Sequence, residues 1–251
     1  MKFEKYHGLG NDFLITEDLK IVDNYELIKN ICNRYTGIGA DGLIVVKKDP
    51  LEMIFYNQDG TRGEMCGNGI RCFSNYCYNN KLINANEFDC LTLDGVKHLE
   101  IKSYEPFISK VKMGKMVDKI DQYIIEFNNK SYLVYSLNFG VPHAVIFTND
   151  VISENLGSYI SNHKYFPNKT NVNFVTITDQ ANINILTYER GVGFTKACGT
   201  GSCSSVIVSS KLNLVKDKVL VHQALGSLLI TIVDEEIYME GESIKVGEIF
   251  L

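Results

Sequence analysis

Two cysteines sit in matching glycine-rich frames. Cys66 lies in Met65-Cys66-Gly67-Asn68-Gly69-Ile70-Arg71 and Cys198 in Ala197-Cys198-Gly199-Thr200-Gly201-Ser202. Each frame reads Cys-Gly-x-Gly, and each opens a stretch with helical character. A cysteine just ahead of a helix meets the positive end of its dipole and backbone N–H groups that lack an intrahelical partner. That setting lowers a thiol pKa, makes the sulfur a usable base and forms a site for a carboxylate. Two such frames predict two thiols facing one substrate carbon. One would remove a proton and the other would deliver one to the opposite face. A lone cysteine is most often a core residue, but glycine in the first turn of a helix carries a cost. It is repaid where backbone must approach a ligand closely.

Further candidates flank these frames. Glu189-Arg190-Gly191 ends a strand just before the second cysteine. Such a pair is often a surface salt bridge, yet an arginine here could grip a carboxylate through two hydrogen bonds. The glutamate could position a base or accept from an ammonium group. His143 precedes a strand and has a natural task beside a thiol, favouring its thiolate. Asn11, Asn57 and Asn171 stand at strand or loop edges, where asparagine commonly serves turns. The turn His7-Gly8-Leu9-Gly10-Asn11-Asp12 is no phosphate loop, because no Lys-Ser/Thr follows it. Gly37-Ile38-Gly39-Ala40-Asp41-Gly42 precedes a strand and not a helix, so it is no dinucleotide fingerprint. Cys32, Cys72, Cys77, Cys90 and Cys203 read as small buried residues.

The elements that must position these groups are mostly strands. Short apolar or alternating runs bounded by Gly, Asn and Asp recur from residue 3 to residue 188, and again from 219 to 251. Asn128-Asn129 reads as a hairpin turn. Helices are expected from an Asn24 cap to about Arg34, over Asn68–Asn79, over Asn155–His163 and over Thr200–Leu212. The pattern of strands followed by a Cys-Gly-x-Gly helix occurs twice. It predicts an α+β chain of two pseudo-symmetric domains, each a strand-rich sheet wrapped around a central helix. The expected domains are 1–106 and 107–241, with a strand near 242–251 packing back on the first.

Composition narrows the function classes. The 251 residues are 45% hydrophobic and 22% charged, with a formal net charge of -5. No basic block is present to bind a phosphate backbone, which argues against nucleic acid as a partner. No apolar run approaches the roughly 20 residues of a membrane-spanning helix. The opening Met1-Lys2-Phe3-Glu4-Lys5-Tyr6 has no signal-peptide pattern, so a cytoplasmic protein with reduced thiols is expected. Seven cysteines without a C-x-x-C pair argue against a zinc site.

The segments His7–Phe13, Gly37–Gly42, Asn57–Arg71, Pro142–His143, Asn171–Val175 and Glu189–Gly201 together resemble the diaminopimelate epimerase family, in that family's order and over most of the chain. The cysteine motifs with the Glu-Arg-Gly lead-in are the specific part. The resemblance implies two α+β domains closing on a cleft. It implies a two-thiol mechanism without pyridoxal phosphate or metal that interconverts LL- and meso-diaminopimelate in lysine and peptidoglycan precursor synthesis, and a homodimer. Carried over by position, Cys66 and Cys198 are the proton-transfer pair. Gly67, Asn68, Gly199 and Thr200 hold the substrate carboxylate. Asn11 and Asn57 contact substrate, Asn171 and Arg190 bind the distal amino-acid end, and Glu189 and His143 poise the thiols and contact the amine. Two positions depart from the family pattern: Gly42 replaces a usual Gln, and Gly140-Val141-Pro142-His143 replaces Gly-Asn-Pro-His. Valine neither donates nor accepts, which motivates the alternative of a related racemase with another substrate, such as histidine. The Glu189-Arg190 pair argues against a proline or hydroxyproline racemase. The two thiols argue against a non-catalytic binding protein.

Overall fold

The computed structural model describes residues 1–251 and contains four α-helices among 18 strands. Local chemistry sets many element ends. Helix α1 (Tyr25–Cys32) starts at Asn24, whose side chain accepts the Leu27 N–H, and buries Ile28, Ile31 and Cys32. It stops short of Arg34. Helix α2 spans Gly67–Asn79 and α4 spans Gly199–Lys211. Helix α3 (Glu154–Ser161) is capped by Ser153, two residues before the expected Asn155. Asn128 and Asn129 both adopt positive φ, 50° and 60°, and join strands Asp121–Phe127 and Lys130–Phe139. Asparagine tolerates that conformation and suits the natural twist of a hairpin.

The chain forms two compact units. The first holds residues 1–113 and 240–251, the second residues 114–239. Pro106 occupies the tight turn between strands Gly95–Tyr104 and Phe107–Lys115. It turns the chain without ending the unit, and the division falls at 113/114. In the first unit Lys2–Gly8 lies between the antiparallel strands Ile244–Phe250 and Asn11–Thr16.

The two units share one strand register. In the first, Ile15 pairs in parallel with Ile44, Ile44 antiparallel with Phe55, and Phe55 with Gly63 of a two-residue strand. In the second, Val145 pairs in parallel with Asn173, Asn173 antiparallel with Thr187, and Thr187 with Thr195 of a three-residue strand. A cysteine follows three residues after Gly63 and after Thr195, and then a helix starts. The duplication inferred from the cysteine frames is thus a duplication of strand pairing.

Both post-cysteine helices are central to their own units. Helix α2 packs on Lys2–Gly8, Asn11–Thr16, Leu51–Asn57 and Ile244–Phe250. Helix α4 packs on Lys130–Phe139, Val141–Phe147, Asn171–Asp179, Asn182–Glu189 and Gly226–Val233. A helix wrapped on all sides has no face left to water. In α4 the problem is solved with serines. Ser202, Ser205 and Ser209 are buried and donate to the carbonyls of Cys198, Gly201 and Ser205, which satisfies their hydroxyls inside the helix.

Replacing Asn129 with Val places a β-branched residue in the left-handed region. Stability is expected to fall by about 1–2 kcal/mol, read as a lower urea midpoint at unchanged slope.

Candidate active site

Each cysteine is the N-cap of its helix. Cys66 has φ -128° and ψ 123°, and its Sγ accepts the Gly69 N–H at 3.5 Å. Cys198 has φ -133° and ψ 113°, and its Sγ accepts the Gly201 N–H at 3.4 Å. The sulfur takes the place that a Ser or Asp oxygen fills at most helix starts. Backbone N–H donation and the helix dipole both favour its anionic form. The helices begin at Gly67 and Gly199, so Asn68 and Thr200, expected as first residues, are second. Glycine is required at Gly201: a Cβ there would lie 2.3 Å from Asn173 Oδ1 and 3.2 Å from Cys198 Sγ.

In the first unit, Asn11 Nδ2 donates to Asp41 Oδ2 at 2.7 Å. Its Oδ1 accepts from Asn68 Nδ2 at 3.1 Å and lies 3.8 Å from Cys66 Sγ, which donates to it. Arg71 is fully buried and donates to Asn68 Oδ1 and to the Gly67 carbonyl, both at 3.0 Å. Beneath Asn11, Arg34 bridges Asp12 and Asp41 at 2.6 and 2.7 Å, and Lys5 reaches Asp12 at 2.8 Å. Burial disfavours the Asp12 carboxylate, but the Arg34 and Lys5 hydrogen bonds outweigh it and hold the acid at about 2. Asn57 is exposed, and its amide donates to Thr61 Oγ1 within a turn.

In the second unit, Cys198 Sγ lies 3.6 Å from Thr200 Oγ1, and Gln223 Oε1 accepts the Cys198 N–H at 2.7 Å. Asn171 is buried and uses Oδ1 to hold the Arg190 backbone N–H, while the Arg190 guanidinium donates to the Asn168 carbonyl. Glu189 Oε1 accepts from Thr195 Oγ1 at 2.7 Å. His143 is fully buried. Burial, aided by the Arg190 charge, pushes its imidazole down to about 3, so the ring is neutral at physiological pH. Asn173 Nδ2 lies 3.3 Å from the Ala144 carbonyl and 3.0 Å from His143 Nδ1, and its Oδ1 accepts from Thr187 Oγ1. A carbonyl only accepts, so this network assigns Nδ1 as an acceptor and leaves the ring proton on Nε2. A thiolate–imidazolium pair, one form of the task expected of His143, is disfavoured by this burial. A neutral Nε2–H donor remains.

The sequence profile described as diaminopimelate epimerase matches residues 3–118 and 135–246. The chain belongs to the diaminopimelate epimerase family. A diaminopimelate epimerase of Clostridium perfringens is 40% identical over 97% of this chain and 96% of its own length. One of Methanothermobacter thermautotrophicus is 35% identical over 97% and 96%. Among solved structures, a hydroxyproline epimerase from Agrobacterium vitis matches with a TM-score of 0.73 at 13% identity, over 99% of this chain and 90% of its own. That likeness concerns the fold alone.

The sequence reading singled out neither Asn173 nor Gln223, and it gave no part to Asp12, Arg34 or Arg71. Arg71 carried no signal, since it lies with Asn68, Ser74 and Asn75 on the polar side of α2 that a surface helix would turn to water. Asn173 carried one, since it shares a strand face with Asn171. Gln223 carried none.

Two measurements follow from this geometry. Gly201→Ala is expected to displace Asn173 or the Cys198 sulfur and lower kcat by about 100-fold or more, with the far-UV spectrum unchanged. Asp12 has a folded-state pKa near 2 against an ordinary 3.8, so the unfolded chain binds its proton first as pH falls. Its contribution is complete above about pH 4 and disappears between there and pH 2. Asp12→Asn is expected to lower stability at neutral pH and flatten that acid limb in pH-resolved denaturation.

Proposed function

We propose that this protein is a cofactor-independent amino-acid epimerase that interconverts LL- and meso-diaminopimelate, with Cys66 and Cys198 acting on one Cα from opposite faces. One sulfur, as thiolate, takes the Cα proton. The other, as thiol, gives its S–H proton to the opposite face, and the roles exchange in the reverse direction. The observation that carries this reading is that one thiol-capped helix start occurs twice, with nearly the same backbone angles and the same cap bond. Family membership and relatives that carry this activity at 35–40% identity support it.

The remaining roles follow from chemistry. Negative charge developing at Cα spreads into the substrate carboxylate. Backbone N–H groups at a helix start stabilise it there, which gives Gly67, Asn68, Gly199 and Thr200 their part. Glu189 accepts from the substrate amine, and the Nε2–H of His143 donates to a thiolate. Arg190 supplies charge for the distal carboxylate, with Asn171 holding its backbone, and Asn11 and Asn57 complete the contacts. No metal or pyridoxal phosphate takes part. In the same reading the enzyme works as a cytoplasmic homodimer in lysine and peptidoglycan precursor synthesis. Its two units correspond to two epimerase domains.

Val141 favours a second reading, a racemase of the same mechanism with another amino acid. Solvent deuterium uptake at Cα, measured with reductant and without added pyridoxal phosphate, separates the two. Uptake with inversion is expected on LL- and meso-diaminopimelate, and it should vanish in Cys66→Ala and Cys198→Ala. Uptake on L-histidine alone would move the protein to the racemase reading. Full activity in either alanine variant would overturn the two-thiol mechanism.

A further inference from the structure

The register that relates the two units also matches the side chains beneath their caps. Ile15 answers to Val145, Ile44 to Asn173, and Phe55 to Thr187. Two residues before the first pair stand Phe13 and His143, and four residues before it Asn11 and Val141. The helix starts give the same match. A Cβ on Gly69 would meet Ile44 Cδ1 at 3.4 Å, and a Cβ on Gly201 would meet Asn173 Oδ1 at 2.3 Å. Phe13, Ile44 and Phe55 in one unit thus hold the places of His143, Asn173 and Thr187 in the other.

All six side chains are buried. The first three are apolar, and the Phe13 and Phe55 rings pack edge to face with centroids 6.0 Å apart. Apolar packing is therefore enough to support a cap of this kind. Polar groups buried in its place cost free energy unless each is bonded, so the polar set serves something other than the fold.

Its hydrogen bonds run in one direction. The Ala144 carbonyl only accepts, so the Asn173 atom 3.3 Å from it is Nδ2, and that same atom lies 3.0 Å from His143 Nδ1. Thr187 Oγ1 donates to Asn173 Oδ1 at 3.0 Å, which braces the amide from its other end. Nδ1 therefore presents a lone pair, and the neutral ring carries its proton on Nε2. The Arg190 charge acts against a second proton. Nε2 is buried and meets no acceptor in the protein. A buried donor left unpaired is unfavourable, which suits a group kept for an acceptor that forms during the reaction.

We propose that Asn173, braced by Thr187, is a positioning residue that locks His143 in the Nε2–H tautomer, so that the ring serves the reaction as a hydrogen-bond donor and not as a base at Nε2. This rests on the reading above, in which that N–H meets a thiolate. Asn173 touches no reacting atom and acts through His143. The ring neither gains nor loses a proton in turnover, and the proton transfers stay between the sulfurs and Cα.

The test is the long-range ¹H–¹⁵N correlation spectrum of the histidine rings in the ¹⁵N-labelled, substrate-free protein, with His143 assigned by its loss in His143→Gln. It needs no turnover, so the tautomer is judged separately from the epimerase reading. The unaltered protein is expected to show Nε2 protonated and Nδ1 bare. A proton on Nδ1, alone or with Nε2, overturns the proposal. Asn173→Asp replaces the donor with a carboxylate, which only accepts and draws a proton to Nδ1. That variant is expected to show Nδ1 protonated and kcat for Cα proton exchange about 100-fold lower, with KM changed far less. Lost activity with the proton still on Nε2 alone would show a purely structural role. Full activity with Nδ1 protonated would show that the tautomer does not matter. Either result overturns the proposal. If Asn173→Asp does not fold, Asn173→Ala serves: Nδ1 loses its hydrogen bond and its ¹⁵N resonance is expected to move downfield, and an unmoved resonance overturns the proposal.

Discussion

The hydrogen bond from a third-residue N–H to a cysteine sulfur is the constraint around which each unit is arranged. It is weak taken alone. Its value is that it joins the sulfur to a helix start, where dipole and backbone donors are already aimed outward. For that to matter, the helix end must be held still. Each unit does so by burying all but the last residues of the helix among its own strands and by leading into the cap from a very short strand. Gly63 and Thr195 are pinned by their partners Phe55 and Thr187. Three residues later the sulfur arrives in a fixed place.

Burying a helix on all sides removes the polar face that normally solvates it. The two halves meet this in different ways. Helix α4 uses serines that bond back to its own carbonyls. Helix α2 instead carries Arg71, Ser74 and Asn75 into the interior, and its bonds reach Asn68, Gly67 and Ser243. A buried guanidinium is costly unless its donors are used. Here it fixes the Asn68 amide, so the cost of burying the charge is tied to the geometry of the first sulfur. The repeat therefore conserves the sulfur cap and the strand register while the polar support beneath each cap differs.

Local signals in the sequence were readable because their causes are local. The Cys-Gly-x-Gly frames state both the cap and the need for close backbone approach, and Asn24, Asn128 and Asn129 act within a few residues of themselves. The α+β class and the repeat followed from these. The features missed depend on pairs distant in sequence. Nothing near Asn173 states that it will lie opposite Thr187, and nothing near Gln223 points to the Cys198 N–H. Asp41 was visible only as part of a glycine-rich turn, because its role needs Asn11, thirty residues earlier along the chain. His143 was legible as a candidate, but its charge state was not. Complete burial decides that, and burial is a property of the folded sheet.

Val141 shows how a single position changes meaning between the two levels. In the sequence it is a missing polar group in a binding motif, and the natural consequence is altered recognition of the far end of a substrate. In the strand register it is the position that answers to Asn11. The first half has an amide there, held by Asp41 and turned toward a sulfur, and the second half has an aliphatic side chain that can hold no such bond.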